Sequence, residues 1–260
     1  MTIPELVFIV PYRNRETLLH KFMSHMPTIL EGLSYKFLFV HQCDNRMFNR
    51  GALKNIGFFF VKKSYPSNYQ NITLVFNDID CLPRYAGLLN YSVSKGEVKH
   101  FYGYRYTLGG IVSIKAGDFE RIGGFPNFWG WGYEDNMLQK RVLSAGLTIN
   151  RNQFYEANVL VLTKAAKQGL PMPELPILQE VDGNIKIMNK HDFNQYSRNT
   201  NDGLTSFRKL VTTYDANTCM LNVQLFDVGH EEKKDDTFSY DLANGSAPLK
   251  FRRFTQLMFT

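Results

Sequence analysis

The sequence predicts an α/β fold built on a doubly wound sheet, and three observations carry that prediction. Leu6 to Val10 is a short, continuous apolar run ending at Pro11, the pattern of a strand buried on both faces. Tyr35 to Val40 and Ile72 to Phe76 repeat that pattern. Between these runs lie two stretches with helical periodicity, so strand and helix alternate at the spacing of βαβ units.

Taken in order, Asn14 is placed to cap the first helix, whose apolar face recurs at Leu18, Leu19, Phe22, Met23, Met26 and Leu30. Phe48 to Lys63 reads as the second helix, with Lys62 and Lys63 complementing the dipole at its C-terminal end. The third strand ends at Asn77-Asp78-Ile79-Asp80. A helix through Leu88 and Leu89, strands at Phe101 to Tyr106 and Ile111 to Ile114, and a short helix from Asp118 are expected next. Met137, Leu138, Val142 and Leu143 line a further helix closed by Gly146. Residues 164–186, with prolines at 171, 173 and 176, read as an irregular insertion. Ile185 to Met188 reads as a strand, and Asp202 to Thr213 as a mixed segment leading to a strand at Met220 to Val228. One domain over 1–228 and a tail or arm over 229–260 are expected, the latter opening on the charge run Glu231 to Asp236 and holding Phe251-Arg252-Arg253-Phe254.

At 260 residues the chain is long enough to bury a sizeable core. Its formal net charge of +6 suits an anionic ligand such as a nucleotide diphosphate. No block of five or more basic residues occurs, so nucleic acid is not an expected partner. Three widely spaced cysteines, Cys43, Cys81 and Cys219, form no CxxC pair and point to a reducing compartment. No apolar run is long enough for a transmembrane segment, and the N-terminus shows no signal-peptide pattern. A cytoplasmic or otherwise soluble intracellular location is therefore expected, with the Golgi lumen as the alternative for a trimmed domain. The sequence assigns no oligomeric state.

In doubly wound sheets, ligands bind beyond the carboxyl ends of the strands. Pro11 to Arg15, His41 to Asp44 and Asp78 to Asp80 fall at those ends. Asp78 and Asp80, one residue apart at a strand end, are a candidate pair for a divalent cation that screens a diphosphate; a turn with Asx hydrogen bonding is the plainer alternative. Arg13 and Arg15 supply planar forks for phosphate beside Tyr12, and Phe48-Asn49-Arg50 repeats the aromatic-plus-arginine pairing. Both tryptophans stand in Phe128-Trp129-Gly130-Trp131-Gly132-Tyr133-Glu134-Asp135. Glycines flank Trp131 and permit a mobile or sharply turned loop, so its indole could face a sugar ring while Glu134 and Asp135 accept hydroxyl hydrogen bonds. A buried aromatic turn with a helix-capping acid is the competing reading.

Pro11-Tyr12-Arg13-Asn14-Arg15, Phe48-Asn49-Arg50-Gly51-Ala52-Leu53, Asp78-Ile79-Asp80, Gly109-Gly110, Gly124-Phe125-Pro126, the Trp-Gly-Trp-Gly-Tyr-Glu-Asp run and Asn201-Asp202-Gly203-Leu204 occur in an order that resembles the β-1,4-galactosyltransferase family. The resemblance runs from about Leu6 to Asp227. It implies a GT-A (Rossmann-like) fold, a mixed and mostly parallel sheet flanked by helices, with a UDP-sugar donor, Mn²⁺, a glycan or glycoconjugate acceptor, and inversion at the anomeric carbon. By the same resemblance Pro11, Tyr12, Arg13, Arg15, Phe48 and Arg50 would line the uridine diphosphate site. Asp78 and Ile79 would support the nucleotide, and Gly110 would let the backbone approach the donor sugar. Trp131 would cover donor and acceptor, Glu134 would hold donor hydroxyls, and Asp135 would be the catalytic base. Asp80 would ligate the metal, with Met188 and His191 of Met188-Asn189-Lys190-His191 as the family's other ligand pair.

This sequence departs from the family pattern in several places. The gap from Asp135 to Met188 is longer, and the stretch from His191 to Asp202, the family's lid and acceptor segment, is shorter. Tyr133 stands in place of a small residue, Asn136 in place of an acid, and Thr107 where galactose-specific members carry tyrosine. The donor sugar is thus open between galactose and N-acetylgalactosamine. Two other readings compete: a carbohydrate- or UDP-sugar-binding protein without turnover, and a basic nucleic-acid-binding protein suggested by charge alone.

Overall fold

A computed structural model describes residues 2–130, 132–179, 184–186, 201–230 and 239–241. Its first half follows the alternation read from the sequence: β1 (Leu6–Tyr12), α1 (Glu16–Ile29), β2 (Tyr35–Gln42), α2 (Arg50–Ser64) and β3 (Thr73–Asn77). Then come β4 (Cys81–Pro83), β5 (Glu97–Gly103), β6 (Ile111–Lys115), α3 (Ala116–Arg121) and α4 (Glu134–Ser144). The remainder comprises β7 (Thr148–Asn150), β8 (Tyr155–Glu156), α5 (Asn158–Lys167), β9 (Ile177–Gln179), β10 (Asn184–Lys186), β11 (Lys209–Asp215), β12 (Met220–Asp227) and β13 (Ser239–Asp241).

Among the described residues, nine strands form the main sheet in the order β11-β12-β2-β1-β3-β6-β5-β7, with β8 also pairing β5. The centre, β12-β2-β1-β3, is parallel; β6 lies antiparallel between β3 and β5, and β11 antiparallel on β12. Alternation along β1 explains how both faces are covered. Leu6, Phe8, Val10 and Tyr12 point into one apolar cluster with Leu18, Phe22 and Met26 of α1. Val7 and Ile9 point into the other, with Leu53 and Ile56 of α2. Gly57 lets α2 lie this close, since a Cβ there would press on Ile9.

Several expected elements differ. Asn14 does not cap α1: it takes a positive φ of 50°, Arg15 occupies the N-cap, and no side chain caps the helix. The segment after Pro83 holds no helix. Gly87 turns the chain at φ +76°, and Leu88 and Leu89 are buried while Gln153 bonds the backbone at Leu88 and Asn90. The strand expected at Phe101 to Tyr106 starts earlier and stops at Gly103, where φ is 133° and a turn closed by Thr107 N–H on Tyr104 O follows. Residues 164–186 are not irregular throughout: α5 runs to Lys167, and β9 pairs antiparallel with β4. Within the expected tail, Ser239–Asp241 pairs with Asn184–Lys186, whereas the charge run Glu231 to Asp236 and the Phe251 to Phe254 stretch lie outside the described residues. Among the described residues no helix is long and apolar enough to cross a membrane.

Candidate active site

Parallel strands deliver their carboxyl ends to one rim. Tyr12 at the end of β1 lies opposite His41 of β2, and their rings meet edge to face at 5.2 Å. Pro11 and Tyr12 are themselves buried. Arg13 lies over the Phe48 ring at 5.4 Å and donates from Nη1 to Arg46 O at 2.5 Å. Two residues named separately from the sequence, Arg13 and Phe48, are thereby joined. Arg15 stands near enough to Asp78 and Asp80 for its charge to favour both carboxylates.

Arg50 is the hub. It opens α2, whose N-cap Asn49 accepts from Ala52 N–H at 3.0 Å. From a nearly closed pocket its guanidinium reaches Asp78 through Nε (3.0 Å) and Nη2 (2.8 and 2.6 Å). Its Nη1 donates to Glu134 Oε1 at 2.5 Å and to Asp135 Oδ2 at 2.8 Å. One cation thus ties the strand-end acid to the two acids that begin α4. A fork with several donors suits this task; an ammonium could not span it. Burial works against charge on Arg50, but the three carboxylates outweigh it and hold the guanidinium protonated. Burial likewise raises Asp78, yet Arg50 and Lys54 outweigh it and hold that carboxyl below its usual range. Glu134 goes the other way: burial, and then the charge of Asp135, push it up, and Arg50 offsets only part. Its second oxygen accepts from Gly132 N–H at 3.0 Å, so both Glu134 oxygens are engaged inside the protein.

The Asp-Ile-Asp turn is braced from below. Asn77, fully buried, donates from Nδ2 to the carbonyls of Asp78 and Cys81, both at 2.8 Å. Ile79 is 3% exposed and packs in the α1-side cluster, so its side chain is core and only its backbone is left for a nucleotide. Asp80 is pushed up to about 6 by burial and by the adjacent Asp78, with Arg15 offsetting part. Asp78, Asp80 and Cys81 offer ligand atoms within 4.8 Å of one another, and Cys81 donates its thiol to Asp80 Oδ1 at 3.3 Å. Asp80, raised by burial and by its neighbour's charge, is the carboxylate that a divalent cation would relieve, so these residues fit one. Met188 and His191 lie outside the described residues.

The loop before α4 divides into two roles. Trp129 is a core residue: it stacks on Phe226 at 5.2 Å, Arg46 lies 4.5 Å from both rings, and its indole N–H donates to His230 O. For Trp129 the buried-turn reading is the right one. Trp131 lies outside the described residues. Gly130 N–H donates to Phe48 O at 3.1 Å, which anchors the loop beside the arginine–aromatic pair. Tyr133 caps α4 in the left-handed region at φ 67°. Across from it, Leu108 N–H donates to Asp135 O and Asp78 N–H to Gly110 O, so the 108–110 turn bridges the two acid groups. A Cβ on Gly109 would overlap the Asp135 carboxylate, and one on Gly110 (φ +70°) would overlap Tyr102 O. Gly110 is therefore required by its packing on β5.

Three participants escaped the sequence reading. Lys54 is buried beneath Asp78 and Asp135; its signal was the four-residue spacing from Arg50 on α2. Cys81 is the third potential ligand, signalled only by adjacency to Asp80. His100 supports Gly109 from below through Nε2 and Gly109 O at 3.1 Å, and no local pattern marks it.

Two family models match consecutive parts of the chain: the N-terminal region of glycosyl transferase group 7 over residues 2–89 and the N-terminal domain of galactosyltransferase over 90–163. β-1,4-Galactosyltransferase 7 of Drosophila melanogaster is 31% identical over 163 residues, 58% of this chain and 49% of its own length. β-1,4-Galactosyltransferase 1 of Mus musculus is 31% identical over 158 residues, 56% of this chain and 39% of its own length. The matched stretch thus spans half or less of these curated relatives. A crystal structure of a Drosophila β-1,4-galactosyltransferase 7 variant in complex with manganese, UDP-Gal and xylobiose superposes with a TM-score of 0.63 at 21% identity, covering 88% of this chain and 96% of the other. Its catalytic domain with xylobiose gives 0.60 at 22% identity, with the same coverage. The shared fold is the GT-A arrangement, a mixed, mostly parallel sheet flanked by helices.

Proposed function

The chain belongs to the β-1,4-galactosyltransferase family, and from that premise we propose that it is an inverting glycosyltransferase moving galactose or N-acetylgalactosamine from a UDP-sugar to a hydroxyl of a glycan or glycoconjugate. One observation carries the reading: Arg50 joins Asp78 at the end of β3 to Glu134 and Asp135 at the start of α4. Nucleotide-side and acceptor-side chemistry then share a single site. The complex of the Drosophila relative with UDP-Gal and xylobiose supports the same substrate classes.

In the proposed reaction Asp135 accepts the proton of an acceptor hydroxyl as that oxygen attacks the anomeric carbon and the bond to UDP breaks. The base keeps one oxygen on Arg50, which fixes its plane. Arg13, stacked on Phe48, and Arg15, beside the acid pair, face the charge that develops on the departing diphosphate. Asp80 would hold Mn²⁺, with Asp78 and Cys81 adjacent, and the ion would supply further neutralisation of that charge. Trp131 on its glycine-flanked loop would exclude water.

The test is a panel of UDP-sugars assayed for UDP release and for transfer, with and without Mn²⁺. Transfer that requires the metal and falls about 10²- to 10⁴-fold in Asp135→Asn is expected, the range for loss of a general base. Near-normal transfer by Asp135→Asn would remove the base assignment, and UDP-sugar binding without turnover would favour a binding protein. Mn²⁺ binding followed by EPR should weaken in Asp80→Ala; unchanged affinity would remove that ligand.

A further inference from the structure

Lys54 lies one turn after Arg50 on α2 and is only 1% exposed. Its neighbours in sequence, Leu53 and Ile56, are core residues. Burying an ammonium is costly unless it is paired. Its Nζ lies 3.6 Å from Asp135 Oδ1 and 3.8 Å from Asp78 Oδ1, and 4.6 Å from the centre of the Phe125 ring. Arg50 meanwhile is fully committed, with Nε and Nη2 on Asp78 and Nη1 shared between Glu134 Oε1 and Asp135 Oδ2. Asp135 Oδ1 is buried and, among the described residues, accepts no hydrogen bond. The carboxylate is therefore gripped at one oxygen by Arg50 and faced at the other by Lys54, with Gly109 closing the side toward the 108–110 turn.

We infer that Lys54 is a positioning residue for Asp135, holding the second carboxylate oxygen so that the base keeps one orientation toward the acceptor. The inference rests on the reading of Asp135 as the base. Lys54 does not touch substrate in this scheme: it faces acids from the floor of the site. Its aliphatic stem is packed in the core, and its charged end is held over Phe125. A two-point grip matters because a base that swings about one contact spends little time aligned with the hydroxyl it must deprotonate.

The test uses Lys54→Met, which keeps length and packing and removes the charge. Its kcat for transfer is expected to fall about tenfold or more while the KM for the UDP-sugar stays within about threefold, the pattern of an interaction that acts on the chemical step. In its crystal structure the Asp135 carboxylate should be rotated away from Gly109. A kcat within about twofold of the unmodified protein would overturn the inference, as would a risen donor KM at constant kcat, which would assign Lys54 to nucleotide binding. Where Lys54→Met does not fold, Lys54→Gln, a shorter donor without charge, carries the same readouts. If the unmodified protein transfers nothing from any UDP-sugar, the functional reading fails on its own. The Asp135 orientation in the variant's crystal structure still decides the inference: an unmoved carboxylate overturns it.

Discussion

The absence of a side chain at position 109 is what makes room for the proposed base. Gly109 has no positive φ, so its backbone would accept alanine; the obstacle is that the new methyl would overlap Asp135 Oδ2. Gly109→Ala should therefore fold and melt close to the unmodified protein while transfer falls about 10²-fold, the scale expected for a catalytic group displaced by about 1 Å. Kinetics and a thermal melt on the same preparation check both halves, and retained activity would mean that Asp135 does not work from this position. Residues of this kind were partly legible. Asp78, Asp80, Glu134 and Asp135 announce themselves because strand ends and helix starts are local features. Lys54, by contrast, reads as an ordinary helix residue until the fold shows that its face points at acids from two other elements. Trp129 is stacked on Phe226, nearly a hundred residues away, a contact that no local pattern announces.

At the scale of elements, α2 carries the site because its polar face is buried and satisfied. Asn55 accepts from Phe125 N–H at 2.9 Å and donates to Phe125 O at 2.8 Å and to Asn127 Oδ1 at 2.9 Å. Asn127 in turn donates to Asp202, and Arg141 of α4 reaches the carbonyls of Gly124 and Asp202. The Gly-Phe-Pro and Asn-Asp-Gly-Leu motifs thus form a buttress between α2 and α4, and so set the distance between Arg50 and the acids it binds. Asn55→Ala strands several buried backbone and side-chain groups, at about 1–3 kcal/mol each when unsatisfied, so a loss of about 3 kcal/mol is expected. A lower urea midpoint with an unchanged slope checks it; a midpoint that does not move would show that the buttress is not needed. The elements that proved legible, β1 through β3, have enough residues to display a period. β7, β8 and β9 span two or three residues each and have none, so only pairing with β5 and β4 defines them. The segment holding Leu88 and Leu89 misled because buried leucines in a compact loop mimic one face of a helix.

For the molecule as a whole, sheet order joins the site to acid stability through His100. This residue of β5 is fully buried. Its Nε2 lies 3.0 Å from Tyr102 O and 3.1 Å from Gly109 O, and its Nδ1 accepts from Arg151 Nε at 3.0 Å. Only the neutral ring with its proton on Nε2 satisfies all three partners, since a second proton on Nδ1 would face a guanidinium. Burial first, and then Arg151, lower His100 from 6.5 to about 3. The sign follows from proton counting. Above 6.5 neither the folded nor the unfolded chain is protonated at this site; below it the unfolded chain takes up a proton that the folded one refuses. Stability is therefore lost as pH falls from 6.5 toward 3, at about 1.4 kcal/mol per unit for a full proton. His100→Gln keeps a donor and an acceptor and does not titrate. Urea unfolding of both proteins between pH 7 and pH 5 should show the stability advantage of histidine shrinking by about 2 kcal/mol at the acid end. Groups such as Asp80 and Glu134, raised by burial, pull the other way in both proteins and cancel in the difference. Parallel curves for the two proteins would show that His100 takes up its proton in the folded state. The Arg151–His100–Gly109 relay would then have to open in acid, and with it the turn against which Asp135 rests.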